Sequence, residues 1–160
     1  MKTLLIYDSA FGNTKKIADA IKEGLEGEVI SLQAEEMNLS HLKGCDLLIV
    51  GSPTQGGRPT EAVSNMLNKI PKGKLEGTGV AAFDTRFSKR KQNFGLRILM
   101  MVIGFAAEKI ASVLVNKGGK LIEDPQGFIV EKKEGPLRSA EFERARLWGS
   151  ELQMRLGKAN

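Results

Sequence analysis

The chain has 160 residues, 41% of them hydrophobic, with a formal net charge of +5 and a single cysteine, Cys45. That length fits one domain, residues 1–160, which buries about 70% of its unfolded surface, and one cysteine excludes an internal disulfide and any multi-cysteine zinc or iron–sulfur centre. The apolar run Ile98–Ala107 falls well short of the ~20 residues that cross a bilayer, and Met1-Lys2-Thr3-Leu4 enters strand pattern without a signal-peptide core, so a cytoplasmic location is expected.

Thr3–Tyr7 reads as a buried first strand that breaks into the loop Asp8–Thr14. A helix over Asn13–Leu25 follows, with Ile17, Ala18, Ala20, Ile21 and Leu25 on one stripe and Gly27 as its stop. Val29–Leu32 is a short second strand. Asp46–Ser52 is a third, apolar throughout, as in a strand covered on both faces. After Pro53–Pro59, Thr60 is placed to cap a helix over Glu61–Ile70. Gly79–Phe83 makes a fourth strand leading into Asp84-Thr85-Arg86, and a further helix covers Phe105–Asn116. A last strand, split at Asp124-Pro125, joins Lys120–Ile122 to Gly127–Val130, and the closing helix runs from Ser139 to about Leu156 with Phe142, Ala145, Trp148 and Leu152 on its apolar face and Trp148 among its core residues. Strand and helix alternate five times, which predicts an α/β fold with a parallel sheet and right-handed crossovers. Ligands of such sheets sit outside the carboxyl ends of the strands. Three loops leave strands there: Asp8–Thr14, Ser52–Pro59 and Asp84–Arg86.

Those loops contain neither GxxxxGK[ST] nor GxGxxG, so the signatures of an ATPase and of a dinucleotide-binding domain are missing. The first loop offers the hydroxyls of Ser9 and Thr14, the Asn13 amide and the backbone N–H groups around Gly12. A strand turning sharply into a helix aims such donors at an anion, phosphate above all. The plainer alternative is a strand-to-helix turn with a Gly-Asn bend and a threonine cap. For Gly56-Gly57 it is an ordinary turn into a helix, and Asp84 and Arg86 have the alternative of pairing only with each other.

Ser9-Ala10-Phe11-Gly12-Asn13-Thr14 resembles the phosphate loop of the flavodoxin family, and Gly51-Ser52-Pro53-Thr54 with its Gly-Gly and Phe83-Asp84-Thr85-Arg86 fall where that family's two flavin loops belong. The run from Gly127 through Gly135-Pro136-Leu137 to Trp148-Gly149 is also similar to flavodoxin sequences. The resemblance implies a flavodoxin-like three-layer sandwich, a five-stranded parallel sheet in order 2-1-3-4-5, with noncovalent FMN. Its phosphate would lie on Ser9, Ala10, Phe11, Gly12, Asn13 and Thr14. Its ring would lie between Pro53, Thr54, Gln55, Gly56 and Gly57 on one side and Asp84, Thr85 and Arg86 on the other. In that family a carbonyl of the second loop flips as the flavin is reduced, a role that falls by position to Gly56 or Gly57, since glycine tolerates the change of φ. The implied function is an electron carrier working with a redox protein partner. The alternatives are an FMN-dependent oxidoreductase of quinone-reductase or protoporphyrinogen-oxidase type, or a flavin-free binding module. Nucleic acid and metal are not expected.

The chain departs from the family pattern in three ways. Gln55 and Phe87 stand where many flavodoxins carry a Trp and a Tyr around the ring. Arg58 and Arg86 stand where flavodoxins are usually acidic, and cations there would favour the fully reduced flavin. Finally, Arg86–Gly104 mixes cations with apolar residues, four cations falling between Arg86 and Lys91. That stretch reads either as a helix whose apolar face completes the core and whose basic face is solvated, or as a dock for an acidic electron-transfer partner, a lid over the flavin or a contact for an anionic membrane surface. His41 reads as a surface or capping residue, Cys45 as a buried small residue, and Lys15 and Lys16 as a solvated helix face.

Overall fold

The computed structural model describes residues 1–87, 95, 104–132 and 134–159. The apolar runs form parallel strands β1 Lys2–Tyr7, β2 Glu28–Gln33, β3 Leu47–Pro53, β4 Gly79–Phe87, β5 Lys120–Leu121 and β6 Gln126–Val130. The helices are α1 Asn13–Glu23, α2 Glu61–Lys69, α3 Ala106–Asn116 and α4 Ala140–Ala159. The strands are ordered β2-β1-β3-β4-β5, and β6 also pairs with β4. β5 pairs with Gly79 and Val80, whereas β6 pairs with Phe83–Phe87, so the two are halves of a single fifth position. The expected 2-1-3-4-5 sheet is therefore present. Its last position is broken around Asp124-Pro125, where proline offers no N–H to a ladder.

Side-chain alternation along the strands divides the core in two. Leu4, Ile6, Leu48, Val50, Val80 and Ala82 join the aliphatic cluster that also holds residues of α2 and α3. Leu5, Tyr7, Leu47, Ile49, Ala81 and Phe83 join the cluster with α1 and α4. On the second face Trp148 packs edge-on against Phe83 and Phe128, with ring centroids 6.2 Å away from each. Gly51 makes room for that cluster, because a Cβ there would lie 2.0 Å from the Phe83 ring. Helices α1 and α4 approach backbone to backbone. A Cβ on Gly24 would meet the Arg146 carbonyl oxygen at 1.9 Å, and one on Gly149 the Ile21 carbonyl oxygen at 2.5 Å.

Several local readings change. Helix α1 ends at Glu23 with Gly24 as its cap, ahead of Gly27. Thr60 occupies the first cap position of α2, but its hydroxyl makes no capping bond, and the Ser64 hydroxyl donates to the Thr60 carbonyl instead. Phe142, assigned to the apolar face of α4, is exposed, while Ala145, Trp148 and Leu152 are buried. His41 caps a short 3₁₀ turn, its Nδ1 accepting from the Asn38 N–H at 3.2 Å. The Cys45 thiol is buried, donates to the Leu47 carbonyl at 3.2 Å, and is pushed up in pKa by burial. No helix among the described residues is long and apolar enough to cross a membrane. Of the basic and apolar stretch after Arg86, residues 88–94 and 96–103 lie outside the described residues.

Candidate functional site

Because β1, β3 and β4 run parallel, with Tyr7 opposite Gly51 and Pro53 opposite Thr85, their following loops meet at one edge. The Asp8 N–H donates to the Gly51 carbonyl at 3.2 Å and the Thr54 N–H to the Thr85 carbonyl at 3.0 Å. A buried hydroxyl pair, Thr14 Oγ1 to Thr85 Oγ1 at 2.8 Å, links the first loop to the third. Between them lies a cleft of about 320 Å³. The first loop lines it with Ala10, Phe11, Asn13 and Thr14, the second with Pro53, Thr54, Gln55 and Gly56, and the third with Thr85, Arg86 and Phe87. Ser9, Gly12, Gly57 and Asp84 are not part of this lining; Gly57 and Asp84 are buried. Val130 also lines the cleft and escaped the sequence reading, where it scored only as an apolar strand residue. Its position at the carboxyl end of a strand beside β4 was the available signal.

Gly12, at φ 81°, turns the first loop into α1. The Ser9 hydroxyl accepts from the Lys15 N–H at 3.2 Å, and the Lys16 N–H begins the helical ladder at the Gly12 carbonyl, 3.1 Å away. The N–H groups of Ala10 to Thr14 have no acceptor among the described residues, those of Gly12 to Thr14 because the start of a helix leaves its first donors unpaired. Among the described residues no cation enters this loop: the Lys15 ammonium is exposed and turns to Asp19 at 2.7 Å. An anion seated there would meet neutral donors. The threonine cap allowed by the sequence is absent, since Thr14 lies inside the helix and spends its hydroxyl on Thr85.

The second loop closes on itself. Gln55 and Arg58 exchange N–H···O bonds of 2.9 and 3.0 Å around Gly56 and Gly57, whose φ values are 55° and 75°. Two consecutive positive φ angles define a type I′ turn, which glycine accepts without steric cost. Gly57 is buried, and the Arg58 side chain lies on an exposed residue of the turn.

The third loop is tied inward. Asp84 has no exposed surface and accepts from Arg86 Nε at 2.5 Å, Arg86 Nη2 at 2.8 Å, the Thr54 hydroxyl at 2.9 Å and the Ala107 N–H at 2.9 Å. The Thr54 hydroxyl in turn accepts from the Ala106 N–H at 2.9 Å. One carboxylate thus joins β4, the second loop and the first turn of α3. Burial pushes its pKa up, against the opposing pull of Arg86, Ala107 and Thr54. Arg86 lies over the Phe105 ring at 3.7 Å and stands 3.5 Å from Glu108. The sequence suggested Arg86 as a cation facing the ring; the structure pairs it with Asp84, the alternative that a two-residue spacing also allowed.

A family model described as a flavodoxin domain matches residues 4–114. Diflavin flavoprotein A 4 of Nostoc sp. is 35% identical over 88 residues, covering 48% of this chain and only 15% of that protein's length. A flavodoxin of Clostridium saccharobutylicum is 24% identical over 156 residues, 95% of each chain. In fold, the chain is similar to oxidised Flavodoxin 2 from Bacillus cereus, with a TM-score of 0.73 and 22% identity over 97% of this chain and 99% of that one. With its sheet order, its cleft and a family match over most of its length, this chain belongs to the flavodoxin family, whose cofactor is FMN.

Proposed function

We propose that the cleft holds FMN noncovalently and that the chain carries electrons one at a time between redox partners. The observation that carries this reading is the mixed character of the cleft lining. The first loop brings backbone N–H donors from Ala10 to Thr14 that have no acceptor among the described residues, and Pro53, Phe87 and Val130 add apolar wall. This fits a molecule with a phosphate at one end and a flat, largely apolar ring at the other.

Bound FMN supplies the one-electron chemistry; the protein binds, orients and tunes it. Ser9 to Thr14 hold the phosphate, with Gly12 setting the loop's turn and Ser9 bracing it through Lys15. Pro53, Thr54, Gln55 and Gly56 flank one side of the ring, and Thr85 and Arg86 the other. Gly57 acts as the buried half of the turn and Asp84 from behind the wall. The Gly56–Gly57 peptide reverses at little cost, because neither residue has a Cβ, and so presents either its N–H or its C=O to the cleft. Among the described residues, the cleft lining contains no His, Tyr, Lys, Asp or Glu to act as acid or base, which favours a carrier over an enzyme with its own substrate. Similarity to part of a diflavin flavoprotein agrees with an electron-transfer module.

Titration with FMN and with riboflavin, which lacks the phosphate, tests the reading. FMN is expected to bind, and riboflavin about 100-fold more weakly, since each hydrogen bond to a charged group contributes about 1.5–3 kcal/mol. A protein that refuses both flavins defeats the proposal. Turnover of a quinone by a reduced nicotinamide would move the assignment to the oxidoreductase.

A further inference from the structure

Arg86 is the charged side chain in the cleft wall, and it is closely held. Its side chain is 12% exposed, its guanidinium lies flat on Phe105, and its Nε and Nη2 both donate to Asp84. Asp84 is wholly buried, and among the described residues every partner of its two oxygens is a donor. Glu108, with its side chain half exposed, adds a second anion 3.5 Å from the guanidinium.

We propose that Asp84 is a positioning residue that masks the charge of Arg86, so that the cleft wall meets the flavin ring as a nearly neutral surface. The inference builds on the FMN reading above. A cation with a carboxylate at 2.5–2.8 Å leaves a dipole in place of a monopole, and the field of a dipole fades faster with distance. The stack on Phe105 and the bonds from Thr54 and Ala107 keep the pair from rotating apart. Among the described residues, the basic composition of the chain therefore does not carry over to this wall of the cleft.

Asp84→Asn tests this directly. Its amide oxygen still accepts from Ala107 and Thr54, while the charge opposite Arg86 is gone. The exposed cation then favours the fully reduced, anionic flavin over the oxidised one. The expected gain in relative affinity is about tenfold, which for this two-electron couple is about 30 mV. In the double variant Asp84→Asn/Arg86→Gln no net charge remains to be unmasked, and the potential is expected to return towards that of the wild type. Glu108→Gln, on an exposed position that does not threaten folding, is expected to move the potential the same way by about twofold, screened by solvent. In the cofactor-free chain the Arg86 Nε–H resonance should be slow to exchange, and fast in Asp84→Asn.

The inference is overturned if Asp84→Asn leaves the potential unmoved, or if the double variant keeps the full shift of the single one. Should Asp84→Asn fail to fold, Glu108→Gln decides alone, and an unmoved potential overturns it. A wild-type chain that binds no FMN defeats the function and this inference together; one that binds FMN while its potential ignores these substitutions defeats only the inference.

Discussion

The first and third loops leave the same sheet edge from β1 and β4, on either side of β3, and treat their polar groups in opposite ways. From Ala10 to Thr14 the backbone donors have no acceptor among the described residues, and the ammonium of Lys15, next along the chain, is drawn off to Asp19. From Asp84 to Arg86 each polar side chain is bonded within the protein, to Thr14, Thr54, Ala107, Phe105 and Glu108. A loop with unmet donors is built to receive an anion. A loop whose groups are already satisfied gives shape and a controlled charge instead.

Removing the guanidinium breaks the third loop's internal satisfaction and carries the largest expected effect on stability. Arg86→Met leaves the buried Asp84 carboxylate unpaired, at a cost of about 3 kcal/mol near neutral pH by denaturant unfolding. Burial already raises this carboxyl's pKa, and losing Arg86 raises it further. A folded-state pKa above the unfolded one gives stability that is present at low pH and lost as pH rises through the folded value. The deficit of Arg86→Met is therefore expected to shrink towards about pH 4, and a deficit that grows in acid would contradict the burial of an unpaired carboxylate.

The link between the two loops is the next in size. Thr14→Val leaves the Thr85 hydroxyl without its partner and is expected to cost about 1–2 kcal/mol, whereas Thr14→Val/Thr85→Val recovers most of that loss. Two single losses that simply add would show that the hydroxyls do not work as a pair.

Within the first loop, Gly12→Ala meets open space but must hold φ near 81°. A cost of about 1 kcal/mol is expected, with FMN bound several-fold more weakly because the donors above the turn shift. Smallest of all is Lys15→Ala, for which FMN affinity should not change measurably. A large loss there would mean that a cation, and not neutral donors, holds the anion.

Much of the fold could be read from local pattern. Leu4 to Tyr7 and Leu47 to Val50 are apolar without interruption because both faces of their strands are covered, and the break at Asp124-Pro125 marked the divided last position. The first loop was also readable, since Gly12-Asn13-Thr14 directly after a strand combines a turn with helix-start donors. The third loop was not. Thr54 and Ala107 lie 30 and 23 residues from Asp84 in the chain, and an aspartate beside an arginine reads equally well as a solvated turn. Thr60 misled for a related reason: threonine before a helix suits a cap, but the Ser52 hydroxyl takes the Thr60 N–H and Ser64 the carbonyl, leaving its own hydroxyl unused.

By itself the sequence determined the α/β architecture, the order of its elements and the loops that meet at the carboxyl edge. Those follow from the spacing of apolar residues and from glycine and proline, which act over a few positions along the chain. Only the tertiary structure decided which polar groups stay available and which are consumed: Thr14 with Thr85, Asp84 with Arg86, and a row of N–H groups with no acceptor among the described residues. Hydrogen bonds and charge pairing depend on separations of about 3 Å, and a one-dimensional pattern does not contain distances between residues that meet only when the sheet is assembled.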